Sequence, residues 1–304
     1  MKHVFIINPM SGASNQSENT IAEISKLHYI DSEIYVTKEK RDATRFVKEY
    51  VKNHSDEETR FYACGGDGTI NEVVSGLVGA NKSLFSMTCY PVGSGNDYVK
   101  IYGGKERFSD LNKLVKAKNK LVDVIEVNRG EGYSINVINY GFDSNVVKVM
   151  EKIKRNKNTT NEKAYRSAVF QCLTKCRRNL GETTVGNEKL NDKEFLLCTI
   201  ANGQYVGGQF KCAPHSKCDD GLLEVCIVRP VSIIKFLQLL KPYTLGQHLD
   251  SKKFKKYIKY RQTNETIVVD GPKDFCICLD GELLYGEHFV LKQLKHAVNF
   301  AVPE

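Results

Sequence analysis

The residues with the clearest chemical potential lie between positions 60 and 78. Three glycines within four residues surround Asp67 in the segment Gly65-Gly66-Asp67-Gly68-Thr69. A short apolar run precedes this loop and a helical pattern of apolar residues follows it. A glycine loop that leads into a helix leaves backbone N–H groups free at the positive end of the helix dipole. Such a loop suits a phosphate group, because glycine has no Cβ to hold an anion away from the backbone.

The helix after this loop is predicted from its apolar face and its start from a capping pattern. The apolar positions are Ile70, Val73, Val74, Leu77 and Val78. Thr69 is the predicted N-cap, and Glu72 three residues later completes a capping box. Asp67 adds chemistry, because a carboxylate beside a phosphate needs a cation or a transferable proton between them, which indicates Mg²⁺ and a nucleotide. An ordinary strand-to-helix turn is the alternative interpretation of the glycines.

The first third of the chain alternates strands and helices. Strands are predicted at 3–7, 33–37, 60–64 and 84–90, with helices between and after them near 21–27, 43–51 and 69–79. This order predicts a parallel sheet with helices on its faces. Ligands of such sheets bind beyond the carboxyl ends of the strands. Three loops of suitable composition follow strands there: 8–12 (NPMSG), 65–69 (GGDGT) and 91–97 (PVGSGND).

From about residue 121 onward, strand patterns follow one another and predict an antiparallel β-sandwich. The predicted strands are 122–128, 133–139, 182–187, 194–201, 222–228, 257–261, 266–270 and 275–279. Two helices, Asn161–Arg178 and Val231–Leu245, interrupt this domain. The second helix is apolar enough either to contact lipid or to cover the sandwich. No long linker separates the halves, so we expect two domains that face each other across a cleft.

Charge and composition narrow the class of protein. The 304 residues are 41% hydrophobic and 26% charged, which is ordinary for a globular protein with room for two domains. The net charge of +8 is concentrated in three runs of the second half: Lys148–Lys157, Lys175–Arg178 and Lys252–Arg261. These runs suit either an anionic membrane surface or simple solvation. No nucleic-acid-binding motif accompanies them, so no nucleic acid partner is expected.

The cysteines and the N-terminus favour a cytoplasmic protein. None of the ten cysteines forms a CxxC pair, and most lie in apolar runs, where cysteine acts as a small hydrophobe. We therefore expect reduced thiols and no zinc site. The first residues form a strand pattern rather than a signal peptide, and no stretch is long and apolar enough to span a bilayer.

The glycine loops and two later blocks together resemble a known family. The later blocks are Asp219-Asp220-Gly221-Leu222 and Leu279-Asp280-Gly281-Glu282. In this order along the whole chain, the blocks resemble the diacylglycerol kinase catalytic-domain family, which includes soluble bacterial lipid kinases and sphingosine kinases. The resemblance implies an N-terminal α/β nucleotide-binding domain similar to NAD kinases and phosphofructokinases, followed by a C-terminal β-sandwich. It also implies a last segment that returns to the first domain. The expected domains are residues 1–122 with a return at about 289–304, and residues 123–288.

The same resemblance implies roles for individual residues. Those expected to hold ATP are Asn8, Pro9, Ser11, Gly12, Thr37, Gly65, Gly66, Asp67, Gly68, Thr69, Asn71, Glu72, Gly93, Ser94, Asn96 and Asp97. Asp67 and Asp97 would organise Mg²⁺ around the phosphates. Lys217, Asp220 and Leu222 match a loop that holds a structural Mg²⁺ in some bacterial members. The chain departs from that loop's usual pattern at Pro214-His215-Ser216, and Gln209 stands where a third glycine is common.

The identity of the general base stays open between two carboxylates. Glu282 aligns with the base of the bacterial enzymes, and Asp67 competes with it. From the residues alone, Asp280-Gly281 is also a strong hairpin-turn signal, which would give Glu282 no chemical role.

The resulting expectation is an ATP- and Mg²⁺-dependent lipid kinase. It would convert diacylglycerol to phosphatidic acid at the cytoplasmic face of an anionic membrane, as a peripheral protein and possible homodimer. The chain contains neither a GxxxxGK[ST] loop nor a protein-kinase signature. Two alternatives remain: an NAD kinase-like enzyme, and a non-catalytic lipid-binding protein of the same fold.

Overall fold

The first part of the chain forms a layered α/β unit. A computed structural model describes residues 1–12, 15–156 and 160–304. The N-terminal elements are β1 Lys2–Ile7, α1 Gln16–Ile24, β2 Ser32–Val36, α2 Asp42–Asn53, β3 Thr59–Gly65, α3 Asp67–Leu77, β4 Phe85–Pro91 and α4 Leu111–Val115. Two 3₁₀ turns, Tyr98–Tyr102 and Lys105–Phe108, connect β4 to α4. The predicted alternation of strands and helices is confirmed.

Strands β1 to β4 lie parallel in the order β2-β1-β3-β4. Their pairing brings Ile7 opposite Cys64 and Gly65 opposite Pro91, so β1, β3 and β4 end at the same edge of the sheet. The loops that follow these strands therefore start side by side. Helices α2 and α3 cover one face of the sheet, and their apolar residues join the buried core around Phe61 and Val74.

The second part is an antiparallel sandwich with three helices. Its elements are β5 Lys118–Val127, β6 Gly132–Ser134, β7 Val137–Gly141, α5 Phe142–Asn156, α6 Asn161–Lys175, β8 Asn179–Leu180, β9 Glu182–Val185, β10 Glu188–Lys189, β11 Glu194–Phe195, β12 Leu197–Ala201, β13 Leu223–Val228, α7 Ile233–Thr244, β14 Ile258–Thr263, β15 Ile267–Asp270, β16 Cys276–Leu279, β17 Glu282–Tyr285 and β18 His288–Val302. One sheet has the order β14-β13-β12-β7-β16-β17. A core that includes Tyr140, Phe195 and Phe289 fills the space between this sheet and the other one. The predicted sandwich is confirmed.

The final strand, β18, joins the two parts of the molecule. It pairs antiparallel with β15 and β5 and then reaches β4, where Phe300 lies parallel to Met87. This pairing is where the predicted return of the C-terminal segment, at about 289–304, would fall. Strand β5 runs through the expected boundary at residues 122 and 123 and pairs with β18 on both sides of it. The boundary itself stays a prediction, because the two parts share a continuous ten-stranded sheet.

Two predicted strands are interrupted, and helices α4 and α5 were not predicted. The strand expected over 133–139 is divided into β6 and β7, because the N–H groups of Ile135, Asn136 and Val137 donate to the Asp280 carboxylate rather than to a neighbouring strand. The strand expected over 194–201 is divided at Leu196, whose N–H donates to Val228. Helix α5 contains most of the basic run Lys148–Lys157, for which no helix was predicted. Lys157 lies outside the described residues.

No helix of the described residues is long and apolar enough to cross a bilayer.

Helices α5, α6 and α7 pack on the outer face of the six-stranded sheet around Phe142, Cys172 and Phe236. All ten cysteines are free thiols, and all but Cys176 are buried.

Candidate active site

Three glycine-containing loops meet at the carboxyl ends of β1, β3 and β4. The Asn8 amide donates to the Thr69 hydroxyl at 3.2 Å. The Gly93 N–H donates to the Gly65 carbonyl at 3.2 Å. A Cβ on Gly93 would lie only 2.6 Å from the Gly66 Cα. This backbone-to-backbone approach is possible only with glycine, and it packs the second and third loops against each other.

The first loop closes the same cluster. Gly12 has a φ of +86°, and a Cβ there would lie 2.8 Å from the carbonyl oxygen of Val92 in the third loop. Pro9 and Ser94 are exposed beside this contact, and Ser11 is half-buried. Thr37, after β2, donates its N–H and its hydroxyl to the Ile7 carbonyl. The predicted loop residues therefore lie at one edge of the sheet.

Helix α3 starts earlier than predicted. Its N-cap is Gly66, with no side-chain cap, and Asp67 is its first residue, so the prediction of Thr69 as N-cap is wrong. The Thr69 side chain lies against Gly65, where a Cβ would be 2.1 Å from its hydroxyl oxygen. Because no side chain caps this end, its N–H groups are available to an anion, which also gains from the helix dipole.

Glu72 and Asn71, both predicted to contact the nucleotide, make hydrogen bonds to other parts of the chain. The Glu72 carboxylate accepts hydrogen bonds from the N–H groups of Arg41 (2.8 Å) and Ala43 (3.1 Å) and so caps α2 rather than α3. The Asn71 amide donates to the Tyr133 carbonyl at 2.6 Å and to the Asp280 carboxylate at 2.8 Å. Both side chains thus connect elements of the fold, and their contacts with a nucleotide stay a prediction.

Two predicted acidic residues form a buried pair beside the start of α3. The Asp67 carboxylate accepts from the N–H groups of Asp97 (2.7 Å) and Tyr98 (3.1 Å) through one oxygen. Its second oxygen lies 3.0 Å from the position of a Cβ on Gly95. Burial and the neighbouring Asp97 carboxylate raise the pKa of Asp67 to about 7. A site that disfavours a negative charge to this extent is suited to a cation.

Asp97 connects the two parts of the molecule. Its carboxylate accepts from the N–H of Gly208 at 3.0 Å and from the Lys100 ammonium group at 2.5 Å. Lys100 also donates to the Gly208 carbonyl at 2.6 Å. The backbone of the loop with Gly207-Gly208 thus binds the pair from the sandwich side. Asn96 is buried with a φ of +48°, its amide donates to Gly93, and its Oδ1 has no partner among the described residues.

A third carboxylate, Asp143, was not predicted from the sequence. It lies in the first turn of α5, and its Oδ2 is buried without a hydrogen-bond partner in the described part of the chain. Burial raises the pKa of Asp143 to about 6. Burial also raises the pKa of Tyr165 to about 12, with further contributions from Asp143 and Asp97, so both carboxylates lie near this ring. The available signal was an aspartate between the strand 137–141 and an amphipathic helix with Val146, Met150 and Ile153 on one side.

Glu282 approaches the phosphate-loop cluster from the sandwich. Its Oε1 lies 3.5 Å from the position that a Cβ on Gly68 would occupy, in the first turn of α3. Its carboxylate also forms an ion pair with Lys40, from the loop before α2. The Glu282 side chain is 45% exposed, so a substrate can reach it. The structure therefore brings the Glu282 carboxylate to the first turn of α3, the helix that begins with Asp67.

The hairpin turn before Glu282 explains its placement. Asp280 (φ +49°) and Gly281 (φ +98°) form the two-residue connection between β16 and β17, in which both central residues need positive φ. The Asp280 carboxylate is buried and accepts from the Ser134 hydroxyl (2.6 Å), three backbone N–H groups and the Asn71 amide. The hairpin turn predicted from Asp280-Gly281 and the expected position of the Glu282 carboxylate do not exclude each other, because both belong to the β16–β17 hairpin.

The loop expected to hold a structural cation lies elsewhere. The Asp220 carboxylate accepts from the N–H of Leu222 at 3.0 Å, and the Leu222 carbonyl accepts from the Gln293 amide at 3.3 Å. Lys217 is exposed. Over residues 1–12, 15–156 and 160–304, no three His, Cys, Asp or Glu side chains come together as a metal-ligating group. The structural Mg²⁺ expected at Lys217, Asp220 and Leu222, held through carboxylate and backbone oxygens, stays a prediction.

The architecture defines the class of protein. It joins an α/β domain of the NAD kinase type to an antiparallel β-sandwich, with the acidic residues and glycine loops in the cleft between them. Residues 2–127 match the diacylglycerol kinase catalytic domain, and residues 136–292 match the YegS C-terminal NAD kinase beta sandwich-like domain. The chain belongs to this family of lipid kinases.

Individual relatives agree with that assignment along the whole chain. A diacylglycerol kinase of Bacillus subtilis is 27% identical over 307 residues, which cover 98% of this chain and 96% of the relative. A protein of Pectobacterium atrosepticum named "Probable lipid kinase YegS-like" is 24% identical over 99% of this chain and 95% of its own length. The fold is similar to a crystal structure of a diacylglycerol kinase from Bacillus anthracis, with a TM-score of 0.71 and 22% identity over 99% of this chain and 96% of that one.

Proposed function

We propose that the protein transfers the γ-phosphoryl group of ATP to the free hydroxyl of a lipid, with diacylglycerol as substrate and phosphatidic acid as product. The observation that carries this proposal is the position of Glu282, which reaches the first turn of α3 from the opposite domain. Family membership supports the kinase chemistry, and the cleft geometry supports the assignment of roles.

The triphosphate is held by backbone groups. The loops with Gly12, Gly66 and Gly93 pack against one another at the sheet edge, beside the start of α3, which no side chain caps. A phosphate there is bound by hydrogen bonds from N–H donors and by the helix dipole, so no lysine in a GxxxxGK[ST] loop is needed.

The acidic residues of the cleft fit a divalent cation. Asp97 is buried, burial raises the pKa of both Asp67 and Asp143, and the Oδ2 of Asp143 has no partner in the described part of the chain. Because these side chains do not form a complete ligand set, Mg²⁺ would keep water and phosphate oxygens as its other ligands, as it usually does. When bound, Mg²⁺ neutralises charge on the phosphates. Asp67 and Asp97 would hold it, and Asp143 would orient its water.

Glu282 is the proposed general base. In the reaction, the Glu282 carboxylate accepts the hydroxyl proton while the lipid oxygen forms a bond to the γ-phosphorus. The bond from that phosphorus to the β–γ bridging oxygen breaks, and ADP leaves. Asp67 is less suited to this role, because one of its oxygens accepts two backbone N–H groups and the side chain is buried. Lys40 stays paired with Glu282 until the substrate hydroxyl arrives.

A direct assay tests the proposal and its two alternatives. Purified protein is incubated with [γ-³²P]ATP, Mg²⁺, NAD and a mixture of lipids that includes diacylglycerol in detergent micelles. Labelled phosphatidic acid supports the proposal, and its loss in Glu282→Gln supports the assigned base. Labelled NADP without labelled lipid would establish an NAD kinase-like enzyme instead. Lipid binding without any phosphate transfer, whatever the divalent metal, would leave a non-catalytic binding protein.

A further inference from the structure

The outward face of α7 is apolar. Its inward face contributes Phe236, Leu239 and Tyr243 to the core under the helix. The outward side chains, with their exposed fractions, are Ile233 (41%), Ile234 (72%), Leu237 (54%), Leu240 (38%) and, just after the helix, Leu245 (52%). Exposed apolar residues that occur singly need no explanation, but a contiguous row on one helix marks an interaction surface. These five residues are here called the α7 stripe.

Lysines surround the α7 stripe. Lys235 and Lys241 lie on the helix, and Lys252, Lys253, Lys255 and Lys256 lie in the turn that follows it. Tyr257 connects the two groups, since the ammonium nitrogens of Lys235 and Lys256 lie 5.8 Å and 5.1 Å from its ring centre.

These lysines carry uncompensated charge. In the part of the chain that the structure describes, none of the six has a carboxylate within ion-pair distance. By contrast, Lys259 and Arg261 farther along pair with Glu188. Asp250 is the acidic residue nearest in sequence. The positive charge of the predicted basic run is therefore concentrated beside the α7 stripe.

The end of α7 touches the rim of the cleft. The Lys211 N–H donates to the Thr244 carbonyl at 3.2 Å, and the Phe210 ring lies 6.1 Å from the Tyr243 ring. The same loop contains Gly208, whose N–H binds the Asp97 carboxylate. Any partner that contacts the α7 stripe would therefore also lie close to the loop with Gly208, which borders the acidic residues.

We propose that the α7 stripe and the six lysines form the surface by which the protein docks on an anionic lipid bilayer. The stripe enters the acyl boundary and the lysines lie at the headgroups, as in amphipathic helices that lie in a membrane interface. Charge complementarity selects this occupant, because a second copy of the chain would bring the lysines against each other. The inference rests on the proposed function, in which the substrate is a membrane lipid.

The test is co-sedimentation of the full chain with vesicles of phosphatidylcholine alone or with phosphatidylglycerol. We expect Ile234→Asp/Leu237→Asp to lower partitioning onto the anionic vesicles at least tenfold. Alanine at Lys252, Lys253, Lys255 and Lys256 should lower it by about fivefold per lysine at low salt and leave phosphatidylcholine binding unchanged. Two controls in the other domain should bind as the wild type does: Ile34→Asp/Val36→Asp on β2, and Lys48→Ala/Lys52→Ala on α2.

Phosphorylation of diacylglycerol in detergent micelles separates this inference from the proposed function. The α7 variant should keep micelle activity within about twofold of the wild type. Vesicle binding that depends on the α7 stripe supports the surface even in a protein that phosphorylates no lipid. Unchanged vesicle binding by the α7 variant overturns the surface, whether or not the kinase assay succeeds. A wild-type dimer that becomes monomeric in the α7 variant, with vesicle binding intact, also overturns it and makes the stripe a self-association face.

Discussion

Asn71 on α3 donates a hydrogen bond of 2.8 Å to Asp280, which precedes Glu282 by two residues in the other part of the molecule. Asn71 is one helical turn beyond Asp67, so this bond fixes the phosphate-loop cluster relative to the proposed base. The same Asp280 carboxylate holds the backbone of residues 135–137. One buried side chain thus determines how the two halves of the cleft face each other.

Asp280→Asn should disturb this arrangement. The amide keeps the shape of the carboxylate but replaces one acceptor oxygen by a donor, which would face Asn71 or backbone N–H groups. We expect a loss of about 2–3 kcal/mol in the free energy of unfolding, since hydrogen bonds to a charged group are involved, together with reduced activity. Urea denaturation measures the first effect. Asp274→Asn, at an exposed turn with a φ of +66°, is the matched control, and equal stability of the two variants would contradict the role of Asp280.

Glu282→Gln separates chemistry from nucleotide binding. The change removes a proton acceptor and preserves size, so turnover should fall about 10²- to 10⁴-fold. The Kd for ATP, measured by calorimetry, should stay within about twofold, because the phosphate loops are untouched. Glu287→Gln alters an exposed glutamate just beyond the same strand and should leave both quantities unchanged. Lost ATP binding or undiminished turnover in Glu282→Gln would remove the base assignment.

The buried Asp67 predicts a pH-dependent stability. Its pKa is raised to about 7, mainly by burial, so the folded state binds this proton more tightly than the unfolded state does. The stabilisation from this proton is complete below the unfolded pKa near 4 and is lost as the pH rises to about 7. Without a divalent cation, Asp67→Asn should therefore melt at nearly the wild-type temperature at pH 4.5 and several degrees above it at pH 8.

Thermal unfolding with and without Mg²⁺ completes that measurement. Mg²⁺ at pH 8 should raise the Tm of the wild type more than that of Asp67→Asn, because a bound cation stabilises the folded state by mass action. A Tm difference between the two proteins that is independent of pH would show that Asp67 is not the titrating group.

Gly93→Ala tests the contact between the second and third loops. Its Cβ would lie 2.6 Å from the Gly66 Cα, and neither backbone can move away without opening the loop cluster. We expect ATP affinity to fall more than tenfold and the Tm to fall by several degrees. Gly66→Ala places its methyl at an ordinary 3.5 Å from the Gly93 Cα and should change the Tm by no more than about 2 °C. Equal melting temperatures for the two variants would show that the contact between Gly93 and Gly66 accommodates a methyl group without loss of stability.

Local patterns predicted the architecture well, because periodicity and turn chemistry act over short stretches. The strand ends at Ile7, Gly65 and Pro91 follow from the apolar runs, and parallel pairing then brings their loops together. The Asp280-Gly281 turn was predicted for the same reason, since both positions need positive φ.

Contacts between distant elements were not predictable in this way. Glu72 fits a capping box for its own helix, yet it caps α2, because Arg41 and Ala43 offer N–H groups that only the tertiary fold brings near. Asp280 interrupts a strand from more than 140 residues away. Asp143 resembles any polar residue at a helix start until the fold buries its Oδ2.

The position of β18 has a consequence for biosynthesis. Strand β4 finds its outer neighbour only in residues near 300, which are synthesised after residues 118–287. The nascent α/β layer therefore carries an unpaired strand edge, open to association with other chains, throughout translation of the sandwich. A transcript truncated before codon 288 should yield aggregating protein rather than a smaller folded domain, because the fifteen residues of β18, His288–Val302, are needed to pair this strand edge.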